Sequence, residues 1–170
     1  YFKTVVGDNE ARMAEALSIA LQRSDVIITT GGLGPTIDDV TRPAIARAVD
    51  RPLMFRADLL DQIQARFRAY GVPMGDNNRR QAYLPEGCIP VENPVGTAPA
   101  FIVEDARGTV ITLPGVPSEM RAILEGSVLP EIRARSDAAP PAVHLIRTAG
   151  VPESEIAERL AFLENTPGLT

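Results

Sequence analysis

The chain is poor in the residues that most often build metal, redox and nucleophilic sites. Among 170 residues there is one cysteine, one histidine and no tryptophan, and aromatics make up 5%. Cys88, being alone, builds neither a disulfide framework nor a cysteine-based metal site, which fits a reducing compartment and gives a cytoplasmic location as the expectation. It has no neighbouring base in sequence, so it is not read as a nucleophile. His144 is equally alone, and histidine-rich metal sites are excluded. Any metal would have to be held by oxygen ligands, the donor class of Mg²⁺ or Mn²⁺. No apolar run approaches the roughly 20 residues that cross a bilayer, and there is no signal-peptide pattern, so no membrane partner is expected. An excess of basic charge is also lacking: 17 Lys and Arg stand against 22 Asp and Glu, a formal net charge of −5. That disfavours broad electrostatic attraction to nucleic acid, and none is expected as a partner. Internal repeats and low-complexity tracts are absent.

What is present is the balance of a globular protein, 45% apolar and 23% charged, with length for one domain and part of another. Residues 2–6 read as a short strand. Asp8 or Asn9 can cap a helix that carries Met13, Ala16, Leu17, Ala20 and Leu21 at helical spacing. Residues 25–29 form a β-branched run typical of a buried parallel strand. A Gly-rich loop over 30–36 leads to a second helix, capped by Asp38 or Asp39 and running to about Val49. A third helix is expected over 56–70. Residues 71–99 are rich in Gly, Pro and Asn, with one short helical turn at 79–82, and a long irregular stretch inside a compact domain is usually functional. Two strands, 101–104 and 109–113, flank a turn at 105–108. A loop through Pro114 and Gly115 enters a helix near Ser118, itself a possible cap, which continues in pieces to Arg133. Residues 136–142, with Pro140 and Pro141, look like a linker. A strand at 143–148 and a helix at 153–163 follow, with too little apolar surface to close a core alone.

Strands alternating with helices predict an α/β fold: three layers, a mostly parallel sheet with helices on both faces. The expected domains are 1–135, a linker at 136–142, and the start of a small α+β second domain at 143–170. Ile146, Ile156 and Leu160 of that second part are expected to be at least partly exposed.

The stretch from Thr29 to Thr41, TTGGLGPTIDDVT, lies between a strand and a helix start. Glycines allow close approach and positive φ, so that backbone N–H groups can point into a concave site, and a helix start adds partial positive charge. Phosphate oxygens are the natural guests. The loop is neither a Walker A motif nor GxGxxG, and a plain strand-to-helix turn with capping aspartates explains the same residues. Thr36 and Thr41 can add hydroxyl donors. Of Asp38 and Asp39, one can cap while the other stays free to hold a metal. Adjacent carboxylates beside a phosphate loop would repel an anion unless a cation intervened.

TTGGLGPTIDDVT resembles the signature loop of N-terminal domains of the CinA (competence/damage-inducible) family, and is similar to the looser loop of the MoaB/Mog-like proteins of molybdenum-cofactor synthesis. Four further stretches agree with CinA-type domains in order and spacing: Val6-Gly7-Asp8-Asn9, Asn78-Arg79-Arg80-Gln81-Ala82, Asn93-Pro94-Val95-Gly96-Thr97-Ala98-Pro99, and the run from Leu113 to Met120. The resemblance covers about Thr4 to Arg133 and implies the molybdopterin-binding-like fold. The segment Arg147-Thr148-Ala149-Gly150 resembles the start of the family's small second domain. The resemblance also implies one more strand, a Gly-x-Glu-Leu-like turn and a helix ahead of residue 1, with an acidic residue near the site. The family's C-terminal amidase activity is not transferred. Where the family reads GTAPG, this chain has Ala100, strained by about 1 kcal/mol or more should the position need positive φ.

As the resemblance implies, the activity is metal-dependent hydrolysis of ADP-ribose to AMP and a sugar phosphate, with Mg, Mn or Co as the divalent metal and a dimer or trimer as the assembly. A diphosphate would lie on Thr30, Gly31, Gly32, Gly34 and Thr36. Asp39, with Asp38, would hold metal, and Arg79 or Arg80 would neutralise charge on phosphorus, Arg80 being the catalytic candidate. Asn78 and Gln81 would bond ribose or base, while Asn93, Gly96, Thr97, Pro114 and Gly115 would complete the wall. For each there is a plainer account: a solvated turn for the arginines, turn formation for Asn93 and Thr97, a proline-stiffened turn for Pro114. Glu119 reads as an exposed first-turn acid, and the four methionines as packing or loop residues. Two other functions compete with hydrolysis of a nucleotide-sugar diphosphate: binding of a pterin phosphate, with or without adenylyl transfer, as in molybdenum-cofactor synthesis, and a non-catalytic scaffold.

Overall fold

The structure, a computed structural model, describes residues 2–135, 143, 145–163 and 166. The chain divides into two compact units, Tyr1–Asp137 and Ala138–Thr170. In the larger unit the order is α1 (Glu10–Leu21), β1 (Val26–Thr30), α2 (Thr41–Ala48), β2 (Leu53–Phe55), α3 (Ala57–Ala69), a 3₁₀ helix (Asp76–Ala82), β3 (Tyr83–Pro85) and β4 (Ile89–Val91). There follow β5 (Ala100–Asp105), β6 (Gly108–Leu113), α4 (Pro117–Ile123), a π-helical turn (Leu124–Val128) and α5 (Leu129–Arg135).

Local chemistry explains most of these boundaries. Asn9, in extended backbone, accepts a 3.0 Å hydrogen bond from the Arg12 amide and starts α1, which buries Ala14, Leu17 and Leu21 along one stripe. Pro117 opens α4 because its fixed φ suits the first turn and its missing N–H would have had no partner there. Ser118 is therefore inside the helix, and the expected cap at Ser118 is replaced by Val116, which offers no side-chain bond. Neither Asp38 nor Asp39 caps α2: it begins at Thr41, and the capping position falls on Val40. Asp39 is occupied by the loop that precedes it.

The main sheet runs β1-β6-β5-β4, and a second, two-stranded sheet pairs β2 with β3. The fold is α/β as expected, but the pairing is mixed: β1–β6 is parallel, β5–β6 and β4–β5 antiparallel. The physical reason is the two-residue connection at Ala106 and Arg107, which can join only antiparallel neighbours. Alternation along β5 and β6 divides the core. Phe101, Val103 and Val110 face a cluster with Leu17, Ile45, Leu59 and Ile63 from α1 to α3. Ala100, Ile102, Ile111 and Leu113 face Ile123 and Val128 on the other side. Helices thus cover both faces of β5 and β6, giving three layers.

Several expectations are corrected. Residues 2–6 form no strand; they have no sheet partner among the described residues. β1 is parallel but not fully buried: it is an edge of the described sheet, with Val26 and Ile28 44% and 49% exposed. A groove of about 490 Å³ lies between β1, α1 and residues 2–6, and reaches Thr30 and Thr41. The stretch 71–99 is less irregular than its composition suggests, holding the 3₁₀ helix and the three-residue strands β3 and β4. Ala100 carries no left-handed strain, since Asp50 is the only described non-glycine residue with positive φ. It opens β5, fully buried.

In the smaller unit, α6 (Glu153–Leu160) continues as a 3₁₀ turn (Ala161–Leu163). The strand expected over 143–148 is not formed at residues 143 or 145–148, where the backbone finds no ladder partner among the described residues, and Ile146 is 77% exposed. Ile156 is half-buried and Leu160 exposed, in line with their expected exposure. The linker at 136–142 and His144 lie outside the described residues.

Phe101, with no exposed surface, sits where both antiparallel pairings meet. Phe101→Ala should lower stability by about 3–5 kcal/mol, read from the urea midpoint, whereas Ile28→Ala on the open edge should cost less than about 1 kcal/mol. Equal losses at the two positions would contradict this division of the sheet into core and open edge.

Candidate functional site

Because β1 and β6 are parallel and end in register at Thr30 and Leu113, the segments that leave them emerge side by side. Ligands in α/β sheets sit at such strand ends. The Gly31 amide extends the ladder by one more bond, to Leu113 O at 3.0 Å, and the Thr30 hydroxyl donates to Pro114 O at 3.0 Å. Gly115 lies against Gly31. The two loops form one structure.

The Gly-rich loop is held from below. Thr41 donates its hydroxyl to Gly31 O at 2.8 Å and its amide to Gly32 O at 3.3 Å. Gly32 has φ +67°, and a Cβ there would lie 2.1 Å from the Thr41 hydroxyl, so only glycine fits. Arg42, 4% exposed, donates from one guanidinium nitrogen to Leu33 O and from the other to Gly34 O. Among the described residues, the amides of Gly32 and Leu33 donate to nothing. They are the donors that the glycine stretch itself leaves without an acceptor. Thr36 and Thr41, expected as hydroxyl donors to a ligand, spend their protons within the loop.

Asp39 closes the loop: its Oδ2 accepts from the Thr36 amide at 2.8 Å and hydroxyl at 2.6 Å. Partial burial pushes its carboxyl up, but the Thr36 hydroxyl and amide, the Gly34 amide and the Arg42 charge outweigh that and hold it below the usual range. Asp38 is exposed on the adjoining turn. Burial pushes Arg42 down to about 10, Asp39 opposing and the nearby Arg80 charge adding to the effect; it stays a cation at neutral pH. The Arg80 charge thus acts on Arg42, the residue that holds the loop. Arg79 turns away and stacks on Phe55, 4.7 Å from the ring centre. Asn78 is half-buried beside Gly75, and Gln81 is buried with its carbonyl oxygen unpartnered.

Asn93 is an organiser. Fully buried, it accepts from the Val95 and Gly96 amides and donates to Ala98 O and, at 2.7 Å, to Glu119 Oε2. A Cβ on Gly96 would stand 2.3 Å from that carboxylate, so the loop 93–99 and the first turn of α4 are locked together. Glu119 is therefore not a free first-turn acid. Gly96 and Thr97 line a cavity of about 290 Å³ against α3, with Ile63 and Arg66. The lining of that cavity includes no residue of the Gly-rich loop, of 78–81 or of 114–117. Arg42 is the residue that sequence reasoning missed, and Glu119, read as an exposed first-turn acid, is instead bonded to Asn93. Arg42 reads as an ordinary helix residue, and only its burial reveals it. Burial likewise pushes the Cys88 thiol up, against the charges of Arg56 and Arg51, in keeping with an unreactive cysteine.

With Asp39 held below its usual range, its stabilising contribution is complete above the unfolded carboxyl value of about 3.9 and is lost as pH falls through the depressed folded value. Wild type should therefore exceed Asp39→Asn in stability at pH 7. The gap should shrink below about pH 4, in denaturation series across pH. A gap that is constant between pH 7 and pH 2 would contradict an ionised Asp39 as the loop's clasp.

Comparison with known proteins agrees with this architecture. Residues 1–134 match the family described as "Probable molybdopterin binding domain". A putative competence-damage inducible protein of Halothermothrix orenii is 47% identical over 137 residues, 81% of this chain and 33% of that one. A CinA-like protein of Parasynechococcus marenigrum is 46% identical over 96% of this chain and 39% of its own length. The chain thus spans about a third to two-fifths of these relatives. The crystal structure of CinA from Thermoplasma acidophilum superposes with a TM-score of 0.65 at 37% identity, covering 72% of each chain. A continuous match over residues 1–134, together with this shared fold and identity, shows that the chain belongs to the CinA family of molybdopterin-binding-like domains.

Proposed function

We propose that the larger unit binds a small phosphorylated molecule of the pterin class, with its phosphate on the loop at residues 31–34. The observation that carries this reading is the loop itself: free amides at Gly32 and Leu33 above a buried cation, with Arg80 within electrostatic reach of that cation. Arg80 brings a guanidinium charge that an anion can neutralise, and Arg42 holds the loop from beneath. The pterin class follows from the family description rather than from a recognised ring pocket. The pterin's own fluorescence gives the test. Titration of the chain with a pterin bearing a phosphate monoester should show saturable binding that inorganic phosphate displaces. Arg80→Ala should weaken it roughly tenfold or more, the worth of a charge-assisted hydrogen bond. Equal binding of the phosphate-free pterin would sink the reading.

A second reading is metal-dependent hydrolysis of a nucleotide diphosphate such as ADP-ribose, and the position of Asp39 favours it. Its carboxylate stays ionised beside the loop with only one oxygen bonded to Thr36. Among the described residues no group of three or more His, Cys, Asp or Glu is arranged to hold a metal. The donor set fits an ion such as Mg²⁺ bound through one or two carboxylates, Asp39 and at most Asp38, and otherwise by substrate phosphates. Such an ion would supply charge neutralisation at the diphosphate, while Arg80 and the loop amides position it. If this holds, AMP release from ADP-ribose should require Mg, Mn or Co and fall on the order of a hundredfold in Asp39→Asn. Release that persists without divalent metal, or in that variant, would count against it.

A further inference from the structure

Arg42 plays no part in either reading as a ligand contact: it lies beneath the loop, 4% exposed, on the first turn of α2. Its two guanidinium nitrogens reach two successive carbonyl oxygens, those of Leu33 and Gly34. In a trans peptide the C=O and the following N–H point in opposite directions. Holding Leu33 C=O toward Arg42 therefore turns the Gly34 N–H away from it, toward the side where Asp39 sits. Drawing both carbonyls down also keeps oxygen lone pairs off the opposite side of the loop, where they would repel an anion. The next residue, Pro35, has no N–H of its own, so the fork acts where the chain has no amide with which to tether itself. An ammonium group is a point charge and cannot reproduce two bonds in a fixed plane.

We propose that Arg42 is a positioning residue that presets the loop at 31–36 for an oxyanion, and that it does so through its planar two-pronged hydrogen bonding rather than through its charge. The anion in question is the phosphate group of the function proposed above, so the affinity part of this inference rests on that reading; the loop-setting part does not. Asp39 and Thr36 form the upper clasp of the same loop, and Thr41 its hinge. Removing the fork frees the Leu33–Gly34 segment between them, and with that segment loose the Asp39–Thr36 clasp opens more often.

The test uses the 170-residue chain with Arg42→Lys, which keeps the charge, and Arg42→Gln, which keeps one donor without it. Inorganic pyrophosphate serves as the probe, followed by calorimetry. Hydrogen exchange of the Thr36 amide, normally protected by Asp39, reports on the loop without any ligand. The expected result is that both variants bind pyrophosphate at least tenfold more weakly and exchange Thr36 at least tenfold faster than wild type. A Lys variant equal to wild type beside a weakened Gln variant would overturn the proposal, because charge alone would then suffice. Unchanged exchange and affinity in the Gln variant would overturn it even were the Lys protein not to fold. Faster Thr36 exchange in both variants, with no pyrophosphate binding by the wild type, would support the loop-setting role while removing the phosphate-binding reading.

Discussion

The parallel ladder between β1 and β6 does not stop at the last strand residue. It continues through the Gly31 amide to Leu113 O, and that one additional bond ties the Gly-rich loop to the segment that leaves β6. Everything else at the candidate site is referred to this junction. Because the strands point the same way, both loops open at one end of the sheet. Because β5 is antiparallel to β6, the segment 93–99 that precedes β5 arrives at that end as well. Three stretches far apart in sequence are thus delivered to one rim by strand direction alone, before any side chain is considered.

Side chains then fix how open that rim is. The loop from 31 to 41 keeps its shape through its own polar groups: Thr41 below, Asp39 and Thr36 above, Arg42 through two carbonyls. Burying an arginine is costly unless its charge is partnered and its donors are engaged. Here the loop carbonyls supply the acceptors and the Asp39 carboxylate an opposing charge at longer range, while Arg80 adds like charge. What the arrangement leaves over in the glycine stretch are the amides of Gly32 and Leu33, with the Arg42 and Arg80 charges close to each other. The 93–99 loop is built by a different device, an asparagine whose side chain bonds four separate groups and joins the loop to α4 through Glu119. The result is two rigid loops rather than one continuous pocket, and the cavity beside α3 belongs to the second of them.

The resemblance of five short motifs placed the chain in its family without structural help, since close sequence agreement over residues 1–134 carries the fold with it. Helices α1 and α3, the β5–β6 hairpin and the strand–loop–helix around TTGGLGPT were legible from periodicity, turn residues and glycines, because those are local signals. The strands β2, β3 and β4 were not: three residues give no periodicity, and their pairing is made by distant chain. Residues 2–6 show the converse, an apolar run with strand composition that lacks a ladder partner among the described residues.

At the site, the sequence determined which residue types were available: glycines for the loop, acids and arginines nearby, and oxygen ligands alone for any metal. It could not say which way each one faces. Only tertiary structure separated Arg80, near the loop, from Arg79, stacked on Phe55; turned Asn93 from a ligand contact into a brace; and buried Arg42 beneath the glycines. The reason is physical. Composition and spacing constrain local backbone, whereas burial and the partner a polar group finds depend on chain that returns from 10, 26 or 84 residues away, as it does for Thr41, Asn93 and Thr30.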